Sequence, residues 1–282
     1  MSAPPPRSPD PLAGTPLHQA WTGFRAAGAG FGFTLRHGDL LSVAALAMAL
    51  YLAVWVAFLW LAATWDGVAV AAVMGPAPES WWAVALWHVG RVLLYAALWL
   101  ASLVLAATVA LPVLSPAFAW LAERVEQRWY GAQVPGQTWG AFAVETLRGI
   151  GRGLALLAIE VTGGVALWAV GMVLTLAFAP LGALFTIAVG GGWGALALGA
   201  TMSGFALENN RVPLAAQLAL LRRRTAVWLG FGFAAQWLVW VPLTVPFLVV
   251  SATMLVCRLH DHGHCRLPAR DDTTQLPAQQ GR

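Results

Sequence analysis

The sequence predicts an all-α polytopic integral membrane protein, and three observations carry that expectation. The 282-residue chain is 59% hydrophobic and 10% charged. A soluble domain carries about 25% charged residues, so most of this surface has to face lipid. Several charge-free stretches exceed the roughly 20 apolar residues that span a bilayer core. Finally, fifteen of the sixteen arginines fall in four polar segments that separate or flank those stretches, and lysine is absent. Loops rich in Lys and Arg resist translocation and stay in the cytoplasm, so the same arginines predict orientation.

The elements follow in order. Residues 1–20 hold six prolines and read as a disordered tail, because such a segment buries no apolar surface. Residues 21–260 form the membrane domain, and residues 261–282 a polar C-terminal tail. Leu40–Trp65 carries no charge and predicts a transmembrane helix that stays as an uncleaved anchor, since it is too long for a signal core. The loop from Asp66 to Trp81 carries two acids and no base. With Trp60, Trp65, Trp81, Trp82 and Trp87 around it, this loop reads as the outer interface. A second helix, about Trp81 to Leu114, is roughly 50 Å long against a core of about 30 Å, so it tilts or projects.

Ser115-Pro116 then supplies an N-cap and a first-turn proline. Phe118, Leu121, Ala122, Val125 and Trp129 follow at helical spacing, with Glu123, Arg124, Gln127 and Arg128 opposite. This predicts a short amphipathic helix along the inner interface, ended by Gly131. Gly153–Leu207 has one charge, Glu160. Pro180 and Gly182 divide it into a hairpin of helices at about 153–179 and 183–206. Residues 226–257 are uncharged but contain Pro242 and Pro246, which break a helix. A straight span would put Arg224 and Arg258 on opposite sides. A broken, hairpin-like pair of half-helices keeps both inside, as the charge rule requires. The expected total is about four to six membrane-embedded helices, with both termini cytoplasmic.

Three segments resemble a known family. Leu114-Ser115-Pro116-Ala117-Phe118-Ala119-Trp120-Leu121-Ala122-Glu123-Arg124-Val125-Glu126 is similar to the family's Pro-Phe-x-x-x-Leu-Ala-Glu-Lys-Val-Glu signature, with one extra Ala and Arg for Lys. Phe205-Ala206-Leu207-Glu208-Asn209 is similar to an aromatic-x-Leu-Asp-Asn element ahead of a basic run. Gly230-Phe231-Gly232, Pro242, Pro246 and Ser251-Ala252-Thr253 resemble its closing pattern. The family is that of the CysZ sulfate permease and the wider etoposide-induced proteins. The resemblance implies a six-helix, often oligomeric protein of the bacterial inner membrane that passes sulfate inward for cysteine synthesis. It also implies an anion site where a Gly-Leu-Arg stretch begins the first long helix. The matching residues here are Gly38-Asp39-Leu40, so an acid replaces the leucine and the arginine is absent.

The candidate sites are read from their chemistry. A helix N-terminus attracts anions. Arg36, His37 and Gly38 therefore either hold one at the start of the first helix or anchor the inner interface. His88 and Arg91 share a face of the second helix and either line an anion path or reach the outer headgroups. Glu160 is an intramembrane carboxylate whose expected partner is His37, Arg148 or Arg152. It either makes that structural contact or serves proton or ion coupling; depth argues against pairing with Arg91, since the two are expected at different levels. Pro116, Phe118, Glu123, Arg124, Glu126, Glu208 and Asn209 carry the family signature. Cys257, His260, His262, His264 and Cys265 are of zinc- or copper-ligand type, in a spacing that is not a standard finger. They form either a metal site or a polar tail. Two cysteines make no disulfide framework.

No phosphate-binding glycine loop, nucleophile elbow or paired carboxylate stands out, so the expectation is a non-enzyme without a cofactor. The expected partners are the lipid bilayer, a small inorganic anion and further copies of the chain, with no nucleic acid. The leading functional expectation is a permease or channel-like protein for sulfate or a related oxyanion. The competing one is a non-transporting scaffold that recruits partners or lipids through its basic inner face.

Overall fold

The computed structural model of the protein describes residues 10–76, 78–131 and 139–267. Among them every regular element is helical: α1 (Pro16–Leu35), α2 (Gly38–Met74), α3 (Trp81–Val113), α4 (Ser115–Tyr130), α5 (Trp139–Ala177), α6 (Ala179–Phe185), α7 (Gly191–Asn209), α8 (Leu214–Arg223), α9 (Thr225–Leu238) and α10 (Val245–Asp261). A π-helical turn, Thr186–Gly190, joins α6 to α7, and a 3-10 turn, Pro242–Thr244, precedes α10. Four stretches are long and apolar enough to cross a membrane: Gly38–Met74, Trp81–Trp99, Leu147–Ala177 and Ala179–Asn209. Val161, Val165, Trp168, Val173 and Leu176 on α5 are exposed, an apolar surface that lipid rather than water accommodates. The chain is an all-α polytopic membrane protein.

Two compact units make up the chain. One comprises residues 49–114, the body of α2 and all of α3. Here α2 does not stop at Trp65 as expected. It runs through Asp66 and Gly67 to Met74, and Gly75 leaves it with a φ of +63°. A single acid and a single glycine are too weak to end a helix whose neighbours are Ala, Val and Trp. The loop to α3 therefore shrinks to residues 75–80, and α2 reaches about 55 Å at 1.5 Å per residue.

The other unit comprises residues 1–48 and 115–282. Helix α1 packs against α9 and α10, and α7 packs against α9, α10, α5 and α4. The helix α1 begins at Pro16, inside the stretch whose proline content suggested a tail. Thr15 is its N-cap, accepting from the His18 N–H at 3.4 Å, and Pro16 occupies the first turn, where a missing N–H costs nothing. Small residues let α1 approach its neighbours closely. A Cβ on Gly23 would lie 1.9 Å from the Val227 carbonyl oxygen, and one on Gly230 would lie 1.8 Å from that of Ala20. Ser251 Oγ accepts from the Gly30 N–H at 2.9 Å and donates to the Ala27 carbonyl at 2.7 Å. Close backbone contact and interhelical hydrogen bonds are the forces left when lipid is as apolar as the side chains.

The long hairpin turns at Phe178 alone, between α5 and α6, with Pro180 in the first turn of α6 and Gly182 against Thr175. The second predicted hairpin is present as two short helices. The helices α9 and α10 span about 21 and 26 Å, less than a bilayer core of about 30 Å. The break lies at residues 239–244, ahead of Pro246. The C-terminal tail is partly folded. Helix α10 extends to Asp261, Gly263 reverses the chain at φ +72°, and Leu267 is fully buried. His264 Nε2 contacts Asp10 Oδ1 at 2.9 Å, which joins the two ends of the described chain.

Candidate functional site

Only Arg36 and His37 separate α1 from α2. The Arg36 N–H donates to the Thr34 carbonyl and closes α1, while its side chain is exposed. His37 Nδ1 lies 2.8 Å from the Phe33 carbonyl. Since a carbonyl only accepts, Nδ1 carries the proton there and Nε2 faces away as the second ring nitrogen. Helix α2 then starts at Gly38. Asp39, the acid beside this helix start, is not left bare. Arg128 of α4 brings both Nε and Nη2 to its Oδ2 at 2.9 Å. The pair is about half exposed, so it contributes little stability, but it does cancel a negative charge beside the helix start. Phe33 also lies near Trp129, which Arg258 covers at 5.9 Å from the ring centroid and whose Nε1 donates to Asp261 at 2.9 Å. This end of the unit therefore gathers His37, Arg128 and Arg258 around aromatic rings.

The signature residues build a second, polar layer where α4 meets α7. Pro116 lies in the first turn of α4. Phe118 is fully buried with its ring centroid 5.3 Å from that of Phe205. Glu123 accepts from Gln127 at 3.3 Å, and Arg124 lies over Trp120 at 5.7 Å. Asn209 donates to the Ala119 carbonyl at 2.7 Å. Glu126 is nearly buried, and the Asn210 amide reaches both of its oxygens at 2.8 and 3.0 Å. Glu208 lies against Gly149 of α5, beside the buried hydroxyl of Ser115.

Sequence reasoning missed Asn210 and Gln217. Gln217 is fully buried and joins three helices. Its Nε2 donates to the Ala200 carbonyl of α7 and its Oε1 accepts from Arg152 of α5 at 3.1 Å, while Arg152 Nη1 also donates to the Val212 carbonyl at 2.8 Å. The helical spacing of Gln217 with Leu220 and Leu221 was the available signal, a polar residue on the inward face of a short amphipathic helix.

The remaining candidates are more dispersed. Arg152 was an expected partner for Glu160, but it is committed to Gln217 and Val212. Among the described residues the Glu160 carboxylate has no hydrogen-bond or ion-pair partner; its backbone carbonyl accepts from Trp193 Nε1 at 3.1 Å. In the other unit, Arg91 lies 5.2 Å from the centroid of Trp87 and 5.6 Å from that of Tyr95, and His88 meets Trp87 edge-on at 5.1 Å. The Cys/His tail does not converge. His264 turns to Asp10, His260 Nδ1 to the Cys265 carbonyl at 3.2 Å, and Cys257 is buried. Among the described residues no three His, Cys, Asp or Glu side chains are arranged to hold a metal ion. Burial, with help from the negative charge of Asp261, pushes the Cys265 thiol up to about 12, which opposes the thiolate that a metal needs.

Comparison with known protein families matches residues 26–249 to the sulfate transporter CysZ/etoposide-induced protein 2.4 family. The chain belongs to this family. The matched residues run from the second half of α1 to the start of α10 and so include both the polar layer and the break between α9 and α10. No curated protein matches the chain.

Proposed function

We propose that this CysZ-family protein is a bacterial inner-membrane permease, not an enzyme, that carries sulfate or a related oxyanion into the cell. Both termini are cytoplasmic in this reading, as the arginine distribution requires, and the Asp10–His264 contact agrees with termini on one side. The observation that carries the reading is the Arg128–Asp39 pair. An uncompensated Asp39 at the start of α2 would repel a dianion. With Arg128 on it, that repulsion is cancelled and the exposed Arg36 is left to attract one. On the outer side Arg91, held over Trp87 and Tyr95, is the arginine available to an arriving anion.

The test is radiolabelled sulfate uptake into proteoliposomes. Wild type takes up sulfate, and Arg36→Ala and Arg91→Ala reduce uptake. Arg128→Gln raises KM and Asp39→Asn lowers it. One added charge acting on a dianion across about 8 Å of water is worth about 1 kcal/mol, or about fivefold. No uptake by folded wild-type protein overturns the proposal and favours the scaffold. If Arg128→Gln and Asp39→Asn shift KM in the same direction, charge at this helix start does not govern uptake.

A further inference from the structure

We propose that α8 and the arginines around it form a docking surface for anionic phospholipid headgroups. The argument starts from where α8 lies. The apolar stretch Ala179–Asn209 ends one short turn before it, so α8 lies at a membrane boundary. Its inward face is fixed, because Gln217, Leu220 and Leu221 are buried and Gln217 is bonded to both α5 and α7. The outward face carries Ala215, Leu218 and Ala219, all exposed, and then Arg222 and Arg223, also exposed, in the last turn. An apolar face edged by cations is the pattern of a helix lying at the headgroup level.

The charge is uncompensated. Among the described residues no ion pair engages Arg211, Arg222, Arg223 or Arg224; the two ion pairs there are Arg128–Asp39 and His264–Asp10. Arginine gives a planar fork of donors that fits a phosphodiester, and basic groups near a membrane surface draw acidic lipids.

Arg211 adds an independent observation. It reverses the chain after α7 at φ +55°, with its N–H on the Glu208 carbonyl at 2.8 Å and the Val212 N–H on that of Leu207 at 2.9 Å. This helix-ending position favours glycine, and an L-residue is strained there. The sequence nevertheless places a fourth cation at that position, on the same short connection as α8. The ligand recognised is a phosphodiester headgroup with its acyl chains against Leu218, which distinguishes it from a free anion.

The experiment is native mass spectrometry of the full chain in detergent, titrated with phosphatidylglycerol or with phosphatidylcholine. Wild type should retain phosphatidylglycerol in preference. Arg222→Gln/Arg223→Gln, at two exposed positions, should weaken that retention by tenfold or more. Arg211→Gly should raise the melting temperature yet lower retention, which a purely structural arginine would not do. Equal retention by wild type and the double variant overturns the proposal. So does displacement of the lipid by inorganic phosphate at equal concentration, which would mean a free-anion site. A double variant that fails to fold overturns the premise that these side chains are free of the protein body, and Arg211→Gly then tests the lipid site alone.

Discussion

Gly23 and Gly28 lie five residues apart on one helix, and the structure assigns opposite signs to the same substitution at each. Gly23 is buried against α9. A Cβ there would meet the Val227 carbonyl oxygen at 1.9 Å, its carbon at 2.8 Å and the Phe231 nitrogen at 3.0 Å. These are backbone atoms, which cannot rotate away. An ordinary carbon–oxygen contact needs about 3.3 Å, so Gly23→Ala must push α1 off α9 by more than 1 Å. That overpacking costs roughly 1–3 kcal/mol and strains the neighbouring contact at Gly230. Gly28 is exposed, with nothing within 4 Å of a built Cβ. Gly28→Ala therefore keeps only the helix-propensity gain, about 1 kcal/mol. Both variants share the propensity gain, so they should differ by the overpacking cost, about 2 kcal/mol. At roughly 2–4 °C per kcal/mol for a chain of this size, their melting midpoints separate by about 4–8 °C, with Gly28→Ala the more stable. Tryptophan-fluorescence melts in one detergent read this directly. Equal midpoints, or a stabilised Gly23→Ala, would refute the close α1–α9 packing.

Further outcomes follow from the polar contacts. Asn210→Ala removes the amide that bridges both oxygens of nearly buried Glu126 and should cost about 1.5–3 kcal/mol, read as a lower melting midpoint. Asn210→Asp should be worse, because it faces one carboxylate with another. The Asp10 carboxyl is held below its ordinary value, first by the Leu12 N–H, with help from His264 and His262 and against the opposing effect of burial. A depressed carboxyl stabilises above its unfolded value, near 3.9, and that contribution disappears as pH falls through the folded value. Amide exchange at residues 10–15 should therefore rise on acidification below about pH 4, and Asp10→Asn should show fast exchange at neutral pH. Cys265, pushed up to about 12 by burial, should react slowly with a maleimide at pH 8 until the protein is unfolded. Rapid labelling of the folded protein would contradict the docked tail.

Where helix ends carry strong local chemistry, the sequence shows them. Ser115-Pro116 and Gly131 mark both ends of α4, Trp81 opens α3, and Pro242 and Pro246 mark the break between α9 and α10. These signals are steric and act within a few residues. What stays hidden depends on partners distant in sequence. The stretch Thr22-Gly23-Phe24-Arg25-Ala26-Ala27-Gly28-Ala29-Gly30 is poor in helix formers and modestly apolar, so periodicity alone gives it little weight. It is helical because Gly23 and Gly30 allow contact with residues 227 and 251, more than 200 positions away. Likewise Asp66 looked like a loop boundary because charge was read without the surrounding helix formers.

The site shows the same division in chemistry rather than in geometry. A signature identifies Glu126 and Asn209 but not why they matter. The structure answers with two interhelical bonds, Asn209 to Ala119 and Asn210 to Glu126, so the signature is first a device that fixes α4 on α7. That changes how the acid at Asp39 is weighed. Read along the chain, Asp39 is a lone negative charge at the start of a helix and argues against anion binding. Arg128 reaches it from 89 positions away, from a helix that those two asparagines help to fix on α7. The signature helix and the helix start are therefore one unit electrostatically. A substitution that loosens α4 on α7, such as Asn210→Ala, should therefore weaken the Arg128–Asp39 pair, although it touches neither residue of that pair.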